Sequence, residues 1–341
     1  MAENVFFDRE DMPYTQKGMS HFILVAISVL LITAAITSMI NVLYRSKGID
    51  KYNIAKYETM PDAIEICNFG SSHGENSFSY ENLDGIDAFN FALGGQTLSY
   101  DLRLLKEYGN RIEKGGKAIF VLSYFSFFGE PETLQDGFRE KNQRYYGLLP
   151  KSLIKDYSYK DAFLYDYPSL TAYQSLIPDL MKGKDEETTE WWDILTADMI
   201  DVDDYLERRY LEHIKDKCDS KGNIIVNEEE IDAVNEIISI CYDEGITPIF
   251  VTTPYLECYN DMMGEKSNGM VEAFYKIVGD IVGNESVEYF DYSEDDRFRY
   301  GYGLFQNADH RNHEGALKFT DIVMDEVIGI DAMTAKADKV D

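Results

Sequence analysis

The rhythm of apolar and polar positions changes several times along the chain. Phe22 to Tyr44 (F-I-L-V-A-I-S-V-L-L-I-T-A-A-I-T-S-M-I-N-V-L-Y) contains no charged residue. At ~1.5 Å per residue a helix of this length crosses a ~30 Å hydrocarbon layer. A buried helix of a soluble domain is usually shorter and keeps a polar face. The run therefore predicts a single membrane-spanning helix over 22–44, after a tail over 1–21 and before a linker over 45–61. A cleaved signal peptide is the alternative; against it, the run exceeds an ordinary h-region and no A-x-A site follows.

Beyond residue 61 short apolar runs alternate with amphipathic ones. Residues 62–69 (D-A-I-E-I-C-N-F) and 87–93 (D-A-F-N-F-A-L) read as short strands. Leu102, Leu105, Tyr108 and Ile112 share one face of a helix over 98–112, which Gly115-Gly116 is expected to end. Residues 118–124 form a continuous apolar run of the parallel-sheet kind. From 129 to 225 the rhythm breaks, and this stretch, which contains Trp191-Trp192, reads as a helical insertion. The pair is expected to be packing more often than a sugar platform. The alternation then resumes: a helix over 228–245, a strand over 246–254, a helix over 270–282, a strand over 287–292 and a closing helix over 313–327. Alternation of this kind predicts an α/β domain over 62–328 with a three-layer, flavodoxin-like parallel sheet. Residues 329–341 read as a disordered tail.

Composition narrows the function classes. With 45% hydrophobic residues the chain can build a large core without disulfides. The formal charge is −30, from 62 acidic and 32 basic residues, and no basic run occurs, which argues against a nucleic-acid partner. The four cysteines, Cys67, Cys218, Cys241 and Cys258, show no C-x-x-C spacing, so zinc is not expected and the thiols read as mostly buried and free.

In open parallel sheets ligands bind beyond the carboxyl ends of the strands. There the sequence places Ser71 and Ser72 after the first strand, Gly94-Gly95 after the second, Ser123 after the third and Thr252-Thr253 after the fourth. After the last strand comes the polar loop N-A-D-H-R-N-H-E-G-A (307–316). A serine nucleophile needs a base within hydrogen-bond reach. Of the five histidines, His310 and His313 lie in that last loop, where an imidazole can meet the first-strand serine. Each motif alone has a plainer reading. G-S-S-H and Gly94-Gly95 can be turns. Asp309, His310 and His313 can hold a metal, but no fourth ligand is evident, and neither a metal nor a cofactor is expected.

G-S-S-H (70–73), N-F-A-L-G-G-Q-T (90–97) and D-H-R-N-H-E-G-A-L-K-F-T (309–320), in this order, resemble the SGNH, or GDSL-type, hydrolase superfamily. The likeness covers about 62–128 and 226–328. More narrowly the chain is similar to membrane-anchored members that modify bacterial cell-surface polymers, such as polysaccharide O-acetyltransferase and teichoic-acid D-alanylation proteins. The resemblance implies Ser72 as nucleophile, its N–H and that of Gly94 or Gly95 as oxyanion donors, and His310 as base. The family's aspartate three residues before the histidine is Asn307 here. Asn307 is expected to orient the ring through its carbonyl, with Asp309 as the other candidate. The third-block asparagine is missing, leaving Ser123 or Ser126 as nearby hydroxyls. His73 is expected to be structural or to touch substrate. The implied activity is that of an extracytoplasmic serine esterase or O-acyltransferase, anchored in the cell membrane by one span. Its implied partners are an acylated envelope polysaccharide and a multi-pass membrane acyltransferase. A non-catalytic scaffold that keeps the fold is the alternative, and a membrane-bound regulator with a degenerate site a weaker third.

Overall fold

The structure is a computed structural model of the 341-residue chain. It describes residues 12–46, 54–131, 134, 141–166, 202–285 and 287–330. The chain divides into two compact units, residues 1–52 with 157–187 and residues 53–156 with 188–341. The expected Trp191-Trp192 packing and most of the expected C-terminal tail lie outside the described residues.

The first unit holds α1 (Met12–Ser46) and a short helix over Tyr159–Asp166. Within α1, Gly18–Val42 has a mean hydropathy of 2.6 and is long and apolar enough to cross a membrane. Most of its large side chains, Phe22, Leu24, Leu30 and Leu31 among them, are more than half exposed. A soluble helix would bury such a face. Among its few polar residues, Ser28 donates its hydroxyl back to the Leu24 carbonyl at 2.8 Å, a bond that needs no water.

The second unit is a parallel sheet covered on both faces. In chain order it contains α2 (Ile54–Glu58), β1 (Ile64–Phe69), α3 (Ser72–Glu75), β2 (Ala88–Asn90), α4 (Leu98–Tyr108) and β3 (Ile112–Val121). After the insertion, which contributes α5 (Val202–Arg209), come α6 (Glu228–Glu244), β4 (Thr247–Thr252), α7 (Glu257–Lys266), α8 (Met270–Glu285), β5 (Glu288–Asp291) and α9 (His313–Val323). All strands are parallel, in the order β2-β1-β3-β4-β5. This is the flavodoxin-like doubly wound order, whose reversal beside β1 opens a crevice at the strand C-termini.

Strand alternation gives the two faces different partners. Ile66, Ile119, Val121, Ile249 and Val251 pack with Phe319, Val323 and Met324 around α9. The opposite face carries a row of rings: Phe69 stacks on Phe91 at 4.7 Å and on Phe120 at 4.9 Å. On α6 the buried positions Val234, Ile237, Ile238 and Cys241 follow a helical period, and Gly245 closes the helix in the left-handed conformation at φ 74°.

One expected boundary is corrected. The helix over 98–112 does not run to Gly115-Gly116; α4 stops at Tyr108, a 3-10 turn covers Gly109–Arg111, and β3 begins at Ile112. The glycine pair lies inside β3. There the register against β1 jumps from Ile64↔Ile112 to Ile66↔Lys117. Gly115 has φ +88°, and a Cβ on Gly116 would sit 2.8 Å from the Glu113 carbonyl. The pair makes a bulge that other residues cannot fill, and a bulge and a helix stop share the same local signal.

Candidate active site

Two loops at the C-terminal edge of the sheet build the site. The first leaves β1 through Gly70. Its φ is +137°, and a Cβ there would approach the Val121 Cβ to 2.9 Å. Only glycine lets the chain pass over β3 this closely. Ser71 caps the following turn, accepting from the His73 N–H at 3.4 Å. The side-chain amides at the strand ends fix the turn: Asn68 Nδ2 donates to the Gly74 carbonyl at 3.2 Å, and Asn90 Nδ2 to the Glu75 carbonyl at 3.1 Å. Ser72 is thereby presented as the first residue of α3, where its N–H has no acceptor within the helix.

The second loop enters α9. Asn312 caps that helix by accepting from the Gly315 N–H at 2.9 Å. A Cβ on Gly315 would lie 2.0 Å from the Leu304 carbonyl oxygen, so this glycine is required for the loop to close. Arg311 is fully buried and donates to the Pro254 carbonyl, the His73 carbonyl, Ser77 Oγ and Thr253 Oγ1. It pins the last loop to the end of β4 and to α3. Burial lowers its guanidinium only to about 10, so it stays charged at neutral pH.

These loops bring the Ser72 hydroxyl and His310 Nε2 to 2.9 Å across more than two hundred residues of sequence. Ser72 is half-buried and opens on a cavity of about 740 Å³. Gly70, Gly95, Tyr100, Asp101, Arg144 and Arg209 are among the residues that line it. That volume suits an organic ligand larger than water.

The far nitrogen of His310 has an unexpected environment. Asn307 Oδ1 accepts the His310 backbone N–H at 2.8 Å and the Asp309 N–H at 3.3 Å. The amide orientation is therefore set by backbone donors, and it is Nδ2 that faces His310 Nδ1, at 3.0 Å. This corrects the expectation that Asn307 orients the ring through its carbonyl. Arg209 Nη2 approaches the same nitrogen to 3.3 Å. Both neighbours only donate, so Nδ1 accepts and the imidazole proton sits on Nε2, toward Ser72. Burial pushes the His310 imidazole down to about 3; Asp309 opposes this, while His73, Arg209 and Arg311 add to it.

Asp309, the other expected orienter, turns elsewhere. Its nearest approach to His310 Nδ1 is 3.8 Å, beyond hydrogen-bond reach. Asp309 is fully buried and accepts instead from His73 Nε2 at 3.0 Å, from Arg209 Nε at 3.1 Å and from the Tyr205 hydroxyl. Burial works against this carboxylate, but the His310 and His73 imidazoles and Arg209 hold it well below the usual range.

His73 takes the structural of its two expected places, and Ser123, expected to face substrate, does not. Both are fully buried, and neither lines the cavity. His73 Nδ1 meets Ser123 Oγ at 2.7 Å while its Nε2 meets Asp309, which makes a serine–histidine–aspartate chain behind the Ser72–His310 pair. Ser126 accepts the Ser123 N–H at 2.8 Å. His313 points away and pairs with Glu81 at 2.6 Å. Of the two glycines, the Gly94 N–H is engaged by the Glu75 carboxylate, whereas Gly95, at φ +69°, lines the cavity.

His73, His213 and Asp309 bring ligand-type atoms within 4.8 Å of one another, and among the described residues they are the group able to hold a cation. Arg209 already stands on the carboxylate, and His213 Nδ1 is bonded to the Tyr259 hydroxyl at 2.8 Å. The cluster therefore reads as a hydrogen-bond network with its charge balanced.

Sequence reasoning missed Tyr205, Arg209 and His213. They arrive from the insertion, where no strand order fixes direction. The one available signal was scarcity, since His213 is one of five histidines.

No family model matches the chain, and no curated protein matches it in sequence. Several solved structures align with the chain at low identity. A protein of Bacteroides fragilis assigned as an acylhydrolase is 9% identical, covers 84% of this chain and 99% of its own, and has a TM-score of 0.40. A protein of Slackia heliotrinireducens assigned as an SGNH hydrolase is 11% identical, with 78% and 100% covered and a TM-score of 0.38. A catalytic mutant of an acetylxylan esterase from Geobacillus stearothermophilus is 12% identical, with 80% and 98% covered and a TM-score of 0.39.

Proposed function

We propose that the chain is a membrane-anchored serine esterase or O-acyltransferase that handles acyl groups of a cell-envelope glycan. One observation carries this reading: the 2.9 Å contact between Ser72 Oγ and His310 Nε2 at the wall of the cavity. In the reaction, once the imidazole proton has moved to Nδ1, the Ser72 oxygen attacks an ester carbonyl and its proton passes to His310 Nε2. The Ser72 and Gly95 N–H groups are the proposed donors to the oxyanion. Water then resolves the acyl-serine in an esterase, and a sugar hydroxyl does so in a transferase. In this reading the apolar helix α1 is the anchor and the active domain is extracytoplasmic, beside a polymer that is itself held at the envelope; the length and hydropathy of Gly18–Val42 support the anchor. A multi-pass acyltransferase is the partner that could supply the acyl group.

A fluorophosphonate probe tests this. The purified chain is expected to be tagged, and Ser72→Ala to lose the tag. Equal tagging of both would exclude Ser72. A second reading, a non-catalytic scaffold with the same partners, is favoured by the donors that face His310 Nδ1. It requires that no tag form under any condition.

A further inference from the structure

We propose that Arg209 is a positioning residue that holds the site at rest: its guanidinium stands between the Asp309 carboxylate and His310 Nδ1 and keeps the imidazole proton on Nε2. Acyl transfer proceeds once that guanidinium moves aside. The inference rests on the reading of Ser72 as nucleophile.

Arg209 ends α5, and the chain continues there as a π-helical turn over Tyr210–Ile214. Its Nε lies 3.1 Å from Asp309 Oδ2, its Nη2 3.3 Å from His310 Nδ1 and its Nη1 2.6 Å from Glu212. It also bonds the Tyr205 hydroxyl, and its carbon centre sits 4.7 Å from that ring's centroid. A guanidinium cannot give up a proton here, and Asn307 cannot flip without turning its amine onto two backbone N–H groups. Nδ1 therefore accepts, and Nε2–H points at Ser72. In that tautomer the nitrogen beside the nucleophile has no lone pair to receive a proton.

The remedy is close by. Asp309 Oδ1 is 3.8 Å from Nδ1. With Arg209 withdrawn, a rotation of the imidazole takes Nδ1 off the Asn307 amine, 3.0 Å away at rest, and onto the carboxylate, which then accepts an Nδ1–H bond. One proton then leaves Nε2 and one arrives on Nδ1 through solvent, so the ring stays neutral and Nε2 offers its lone pair to Ser72. Arg209 lines the cavity with 16% of its side chain exposed, which gives it somewhere to go. The other groups that face His310 are His73 from α3, His213 from the turn after α5, and Arg311 and Asp309 from its own loop.

Two measurements on the full-length chain in detergent micelles decide this. The first is the neutral tautomer of His310 at pH 7, read from nitrogen-15 imidazole resonances. The proton is expected on Nε2, and a resting proton on Nδ1 overturns the proposal whatever the variants do. The second is the fluorophosphonate labelling rate against pH. Arg209→Gln is expected to label about tenfold faster at pH 7, with its limiting pKa raised by about one unit. Arg209→Lys, which keeps a cation beside Asp309, is expected to stay near wild type. A folded Arg209→Gln variant with unchanged rate and unchanged limiting pKa overturns the proposal. Should that variant fail to fold, Arg209→Met is read in its place in the same labelling series, with the same two outcomes. If no form labels while the proton is on Nε2, Ser72 is excluded as nucleophile, yet the hold of Arg209 on the imidazole stands.

Discussion

At the scale of single residues, the two nitrogens of His310 tell different stories. Nε2 reaches the Ser72 hydroxyl, as a general base must, and Nδ1 meets only donors. A carboxylate on Nδ1 stabilises the imidazolium that forms during attack, and an amide does not. Asn307→Asp is thus expected to raise the labelling rate at neutral pH by about tenfold or more. One aspartate oxygen would keep the His310 and Asp309 backbone N–H bonds, and the other would accept from Nδ1 and Arg209. A slower variant, in a labelling time course, would contradict this role for Nδ1. Ser72 and His310 were legible in the sequence because G-S-S-H and D-H-R-N-H sit at two strand ends that this topology must bring together. Arg209 was not legible, since its approach is set by tertiary packing of an aperiodic segment.

At the scale of elements, close backbone approaches fix where Ser72 stands. Gly70 joins β1 to α3 under Val121, with both a positive φ and no room for a methyl group. Gly70→Ala is expected to cost about 2–3 kcal/mol or more, from strain plus displacement of β3. Urea melts at matched conditions measure it, and a change under about 0.5 kcal/mol would show that the turn relaxes freely. The strands and major helices of the sheet were legible because a buried parallel strand and an amphipathic helix have different periods. The start of β3 was misjudged because Gly115-Gly116 forms a bulge, and α7 was not foreseen: Glu257–Lys266 buries only Tyr259, Met262 and Met263, too sparse a stripe to recognise.

At the scale of the whole molecule, burial of three imidazoles couples stability to pH. Burial lowers His73, His213 and His310 from their ordinary value, the last to about 3. Below about pH 6.5 the unfolded chain therefore binds protons that the folded one refuses, and stability falls as pH drops. Asp101 acts the other way: burial raises it to about 8, so folding takes up one proton there. Burial likewise raises Glu75. Ordinary carboxylates titrate near pH 4, outside this window. The net slope is expected to be roughly 1.4 kcal/mol per pH unit for each proton gained on unfolding. The melting temperature should decline from pH 7 to 5.5; a flat or rising profile would show that the imidazoles are hydrated. At the same scale, Gly18–Val42 leads to a fractionation test. The chain is expected to stay in the membrane pellet through an alkaline carbonate wash, and release into the supernatant would rule out a spanning helix.

The most direct test of the central claim is peptide mapping by mass spectrometry after the full-length chain reacts with a fluorophosphonate. If Ser72 attacks and His310 receives its proton, the phosphonyl mass sits on Ser72 alone, and His310→Ala removes it while the fold persists. Adduct on another serine, or none on Ser72 across the pH range in which His310 is neutral, would contradict it.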